Sequence, residues 1–454
     1  MSEEQISVDV ENTSPLDTVR QFFALQRDVL VLSLAMFAFS LGFQMTSRFL
    51  PEYIVALGAS GFVVGLFGTV GNVISAVFPY PGGAISDRIG SRYALTLFGL
   101  ISTLGFGVWL VAPSLGVITV AGVTIQPWVW IFVGLLLAQG WKSFGLGATF
   151  AVVKQATDPS RLAAGFASTE TFRRTAFLVG PVLAAVLIDL RPSFTVSFQY
   201  VLAVAVGFGI VGTVAQHLLY DAGEDSLGDS FEGIEQIKRD LREMPDPLRP
   251  LLIGDTLVRF ANGMVYVFFV LVITQLYQVG FQTTVSLAGL SYAVDLSPEA
   301  FFGYLLGVEM LIALLSMAPA AKLAERIGLK PVVAVGFAVY ALFPVVLIGG
   351  PAVLAPIVSL QWAMVLIFAF SGLRFAGLPS HKALIVGPAE QGDGGRVTGT
   401  YYLLRNTVVI PSAALGGYLW EFVSPEIAFT IAAVIGVVGT GYFLLFGEEF
   451  TAYR

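Results

Sequence analysis

Cysteine is absent from all 454 residues, and histidine occurs twice, as His217 and His381. The first absence excludes disulfides and thiol chemistry. Together the two leave no histidine or thiolate set for a zinc-type centre, so neither a metal nor a cofactor is expected. Charge is scarce as well. Asp, Glu, Lys and Arg make up 12% of the chain against 56% hydrophobic residues, whereas a soluble domain carries roughly 25% charged residues. No G-x-x-x-x-G-K-[ST] phosphate loop occurs, which excludes ATP hydrolysis by that route. Lysine is rarer than arginine, six against eighteen, and the net charge is −7. No nucleic-acid partner and no clustered catalytic set is expected.

What the chain has in quantity is apolar length. Runs of about 20 apolar residues, enough to cross a bilayer, recur throughout. They are continuous rather than alternating, which excludes a β-barrel. The expected fold is an all-α integral membrane protein with spans at 29–53, 60–85, 93–112, 127–151, 163–189, 195–219, 251–278, 299–323, 331–350, 358–387, 397–420 and 425–446. The polar, acidic first 28 residues predict no cleavable signal peptide. Twelve spans put both termini on one side. Sixteen Lys and Arg residues fall in the loops and termini of that side, and Arg48 and Arg191 alone fall in the opposite loops. The excess marks the termini as cytoplasmic.

A polar interruption at 220–250 divides the spans six and six. Within it, Phe231, Ile234, Ile237 and Leu241 recur at helical spacing, with Lys238, Arg239 and Arg242 on the other face. This predicts a short amphipathic helix, on the membrane surface or solvated as a linker. The expected organisation is therefore a tail at 1–28, a bundle at 29–219, a linker at 220–250, a bundle at 251–446 and a tail at 447–454.

The two bundles read as copies. "GGAISDRIGSR" after the second span aligns with "AAKLAERIGLK" after the eighth at an offset of 238, setting Asp87, Arg88 and Gly90 on Glu325, Arg326 and Gly328. At an offset of 232, Arg173 falls on Arg405, Asp189 on Glu421 and Lys142 on Arg374. Parallel repeats of this kind are a transporter architecture.

On these residues the chain resembles the major facilitator superfamily, whose loop between spans 2 and 3 reads G-x-L-a-D-R-x-G-R-R. Gly83, Asp87, Arg88, Gly90 and Arg92 match it in place and spacing. The resemblance implies two pseudo-symmetric six-helix bundles around a central cavity, with spans 1, 4, 7 and 10 lining it. It also implies that Asp87 faces the positive N-terminal end of span 11, near 395–398, and holds the cytoplasmic side shut. Gly90 would permit the sharp loop reversal, and Arg88 and Arg92 would bond helix-end carbonyls or carboxylates. In the second half Glu325, Arg326 and Gly328 form a weaker version, because Ala321 replaces the glycine. The same residues also read as a positive-inside anchor and nothing more. Of the span-5 signature of proton-coupled drug exporters, Gly180 and Pro181 are kept while Ala184 and Ala185 replace the later glycines.

Charges inside the spans need a reason, since each costs at least ~2.5 kcal/mol to insert. Glu170 can pair with Arg173 or Arg174, and Asp255 with Arg259, at helical spacing. Six interior cations oppose three carboxylates, so Lys142, Arg173, Arg174, Arg374 and Arg405, with Glu170, are candidates for binding an organic anion. Bonds to carbonyls and carboxylates across the bundles are the alternative. Glu309 has no cation within four residues and is, with Asp255, a candidate for coupling to protons or sodium; a cross-span arginine would instead keep it charged. The functions in view are a monomeric, ion-coupled transporter of a small solute in the cytoplasmic membrane, a drug–proton antiporter, or a transport-inactive membrane sensor or scaffold.

Overall fold

The structure is a computed structural model, and it describes residues 27–78, 85, 89–120, 122–140, 162–219, 244–287, 290–386 and 394–449. Fifteen helices of seven residues or more run through these segments. In the first half they are α1 (Arg27–Thr46), α2 (Leu50–Ala56), α3 (Gly61–Val77), α4 (Ser91–Leu115), α5 (Val129–Gln139), α6 (Leu162–Ile188) and α7 (Phe194–Leu219). The second half holds α8 (Leu248–Val265), α9 (Pro298–Ile327), α10 (Leu329–Leu354), α11 (Leu360–Gly372), α12 (Leu378–Val386), α13 (Gly394–Val409), α14 (Ser412–Phe422) and α15 (Pro425–Phe446). Among the described residues seven helical stretches are long and apolar enough to cross a membrane, and four shorter apolar helices accompany them.

Helix breaks fall where the sequence weakens the backbone ladder. Pro51 sits in the first turn of α2, a position that tolerates its missing N–H, and the chain turns at 47–49 before it. Pro411 interrupts the expected eleventh span between α13 and α14, because proline removes a helical donor. The tenth span changes to a 3₁₀ turn at Leu373–Phe375, between Gly372 and Gly377. At Gly377 an added Cβ would lie 2.8 Å from the Val332 carbonyl, so α10 and this turn touch backbone to backbone. The seventh span leaves α-helical geometry after Val265, passing through a 3₁₀ turn at Tyr266–Phe268 to a π-helical turn at Val272–Leu276.

The expectation of an all-helical chain is corrected at two hairpins. Strands β1 (Ile118–Val120) and β2 (Val123–Ile125) pair antiparallel, as do β3 (Phe281–Leu287) and β4 (Leu290–Leu296), in register from Phe281↔Leu296 to Leu287↔Leu290. Threonine and valine are the commonest residues in these strands, and both fit a pleated surface.

Helices of each half pack chiefly with one another: α1 with α6 and α7, α4 with α5 and α7, α8 and α10 with α15, and α9 with α11. Two large pairings cross between halves, α3 with α14 and α6 with α9. Glycine permits the first. A Cβ at Gly65 would stand 2.6 Å from the Ala413 carbonyl oxygen and 2.7 Å from the Gly417 Cα, the close approach that small residues allow between membrane helices.

The repeat is visible in the backbone. Gly90 (φ 81°, ψ 153°) and Gly328 (φ 92°, ψ 165°) occupy the same rare region at matched positions before α4 and α10. Each junction is tied to the last helix of its own half, by different chemistry. Arg92 donates from Nε and Nη2 to the His217 carbonyl at 2.9 and 2.6 Å, near the end of α7. Glu449, just past α15, accepts the Leu329 and Lys330 amides at 3.0 and 2.9 Å. These ends share the face nearest the described chain ends.

Candidate functional site

Among the described residues, buried charge concentrates in two knots. The first centres on Glu309 of α9, which is 2% exposed. It accepts from Ser371 Oγ at 2.7 Å and from Arg374 Nη2, and Arg48 Nη2 lies 3.5 Å away. The 3₁₀ turn after α11 carries Arg374, which is 3% exposed and faces the rings of Phe375 at 4.8 Å and Tyr340 at 5.2 Å. Arg48 comes from the turn between α1 and α2 and stacks 4.0 Å over Tyr266. One carboxylate thus holds a pair of arginines, of which Arg48 ties it to the other half.

The second knot centres on Asp255 of α8, which is fully buried. Arg259 Nε lies at 3.2 Å, Arg405 Nη1 at 3.1 Å, Tyr401 Oη at 3.1 Å and His381 Nε2 at 3.4 Å. Arg259 also donates to Tyr340 Oη at 2.9 Å, and Arg405 to Asn406 Oδ1. An unpaired charge in this interior would be costly, and these partners satisfy the buried carboxylate.

Between the halves lies a cavity of about 290 Å³ lined by Arg48, Arg259, Glu309 and Arg374, with Phe177, Pro181, Leu306 and Met310 as apolar wall. A second space of about 190 Å³ adjoins it, lined by Asn72, Asn262, Arg405 and Asn406.

On the face away from the chain ends, polar contacts close the halves together. Glu52 of α2 is buried and accepts from Thr274 Oγ1 at 2.5 Å and Gln275 Nε2 at 3.3 Å on the π-helical turn. Asp189, after α6, accepts from the Ser297 amide at 3.2 Å and its hydroxyl at 2.7 Å, just before α9. Glu421, at the end of α14, accepts from the Gly61 amide at 2.9 Å, at the start of α3. The repeat-related pair Asp189 and Glu421 therefore does the same work in opposite directions. Each places a carboxylate on the N-terminal end of a helix in the other half, where the unpaired amides and the helix dipole favour negative charge.

The expected site residues are placed as follows. Glu309 and Arg374 line the larger cavity and Arg405 the smaller, while Asp255 is buried behind them and held by Arg405. Arg174 is half-buried against α9, its Nη1 3.5 Å from Met317 Sδ. Glu325 and Arg326 are exposed, and Gly328 and Gly90 hold the expected turns. Gly83, Asp87, Arg88 and Lys142 lie outside the described residues, as do the side chains of Glu170 and Arg173. One alternative is met and one expectation is corrected. Glu309, solitary along its helix, has cross-span arginine partners, Arg374 and Arg48. Arg48, assigned by charge counting to an outer loop, turns inward to the cavity; the break at 47–49 frees its side chain from the helix surface. Arg48, Glu52 and Asn262 carried no sequence signal. The repeat had already paired Asp189 with Glu421.

The sequence profile of the Major Facilitator Superfamily matches residues 32–297. The chain belongs to the major facilitator superfamily. An uncharacterised MFS-type transporter of Methanocaldococcus jannaschii is 21% identical over 423 residues, covering 93% of this chain and 95% of its own. One from Mycobacterium tuberculosis is 29% identical over 196 residues, 43% of this chain and 42% of its own. Among solved structures, the nucleoside transporter NupG superposes with a TM-score of 0.72 at 12% identity, covering 92% of this chain and all of that one. A POT family transporter in complex with a thioalcohol-conjugated peptide gives 0.69 at 14% identity, over 94% and 98%. At these identities the superfamily fold is what is shared. It makes the chain a multi-pass membrane protein of a transporter family.

Proposed function

We propose that the chain is a monomeric secondary transporter that moves a small organic anion by alternating access. In this reading twelve spans form two six-helix bundles, 29–219 and 251–446, which rock about the cavity. Both termini are cytoplasmic, so the closed face is the outer one and the described state faces inward. The carrying observation is the cavity between the halves, where Arg48, Arg259 and Arg374 oppose Glu309 as lining charges. Arginine forks suit a carboxylate or phosphate. The closed outer face supports alternating access, because its contacts lie between halves and must part for the cavity to open there.

Glu309 is the coupling carboxylate in this reading. It lines the cavity and holds both Arg48 and Arg374, so a proton placed on it would release two cations toward the solute. Uptake into proteoliposomes tests the proposal. A pH or sodium gradient should drive accumulation of an organic anion, and Arg48→Gln should lower it by about tenfold, the scale of a lost charged hydrogen bond. Glu309→Gln should abolish gradient-driven accumulation while anion exchange persists. Flux confined to hydrophobic cations, or no flux of any solute, would overturn the proposal.

A further inference from the structure

The two cavities share Arg259, Asn262 and Tyr266. Spacings of three and seven put these residues on one helical face of α8 and its continuation, so the two spaces are lobes of one site. Their chemistry differs. In the larger lobe, Arg48 Nη1 and Arg374 Nε and Nη1 are buried without a hydrogen-bond partner. The two arginines share Glu309, which among the described residues leaves one positive charge uncompensated and three donor nitrogens unspent. In the smaller lobe Arg405 commits Nε, Nη1 and Nη2 to Asn406 and Asp255, and Arg259 shares that carboxylate. Among the described residues this lobe adds neutral hydrogen-bonding groups, the carboxamides of Asn262 and Asn72.

We propose that this two-lobed site takes a small organic acid of the acylamino- or hydroxy-carboxylate class. Its acid group lies on Arg48 and Arg374. Its neutral hydrogen-bonding end passes Arg259 to reach Asn262 and Asn72. Lobes of about 290 and 190 Å³ sit at the small end of the range for ligand pockets, which points to metabolite size. The proposal rests on the transporter reading for its physiological meaning, but binding is measurable without transport.

The test uses the purified full-length chain in detergent, with calorimetry and thermal shift against 4-acetamidobutyrate, its methyl ester and heptanoate. The acid should bind at least about tenfold tighter than the ester, and about fivefold tighter than heptanoate. Arg48→Gln should erase the first ratio, Arg48→Lys should recover part of it, and Asn262→Leu should erase the second ratio alone. Scoring ratios within one folded variant separates recognition from general destabilisation. Equal binding of acid and ester, no binding of the acid, or both ratios surviving these substitutions would overturn the site. Binding with the expected ratios but no flux in proteoliposomes would sink the transport reading and leave the site. Flux of a neutral or cationic solute without acid–ester discrimination would do the reverse.

Discussion

At the scale of single residues, what matters is how buried charge is shared. Glu309 is surrounded by groups that sequence separates from it by 62, 65 and 261 positions, and each is in place only because a helix changes geometry beside it. Removing one partner of such a set costs more than the pair contributes, since a charge is left in a low-dielectric interior. Glu309→Gln should therefore lower stability by about 3 kcal/mol, read as a drop in unfolding temperature in detergent. The double variant Glu309→Gln with Arg374→Gln should recover much of that loss. Additive losses would mean that the two side chains do not act as a pair.

At the scale of elements, the face away from the described chain ends is held by helix ends. Asp189 and Glu421 are exposed, so each is solvated and individually weak. Their strength lies in number and in the shared direction of their contacts, one toward α9 and one toward α3. Absence of cysteine makes the point measurable, because one engineered thiol is the only reactive one. With a cysteine replacing Gln44 at the cavity wall, Asp189→Asn and Glu421→Gln should each raise labelling by an impermeant maleimide from the outer side. Together they should raise it further, by about fivefold for two contacts at half a kcal/mol each. Unchanged labelling in the double variant would show that the glycine-packed α3–α14 seam alone keeps this face closed. Gly65 and Gly417 allow the helices to meet, and the carboxylates fix where the meeting ends.

At the scale of the whole molecule, the repeat organises both faces. Matched left-handed glycines before α4 and α10, and matched carboxylates after α6 and in α14, occur because each half solves the same turns with the same kind of residue. Sidedness is testable on the same cysteine-free background. A thiol at Gln282, in the exposed β3 strand, should label in intact cells with an impermeant reagent. One at Arg326 should label only after permeabilisation. The opposite pattern would invert the proposed orientation, and labelling of both would refute an impermeable topology.

Sequence alone determined the membrane class, the largely helical make-up and the two turn glycines. These follow from chain-local physics: apolar length, 3.6-residue periodicity and the φ values that only glycine adopts without strain. It also placed Asp255 beside Arg259, because helical spacing is local. Tertiary structure decided which charges meet. The Glu309–Arg374–Arg48 knot, the inward turn of Arg48 and the closure of one face all depend on breaks in helices and on contacts between halves. Long-range pairing leaves no local pattern, since a buried arginine's partner is set by where two remote helices cross.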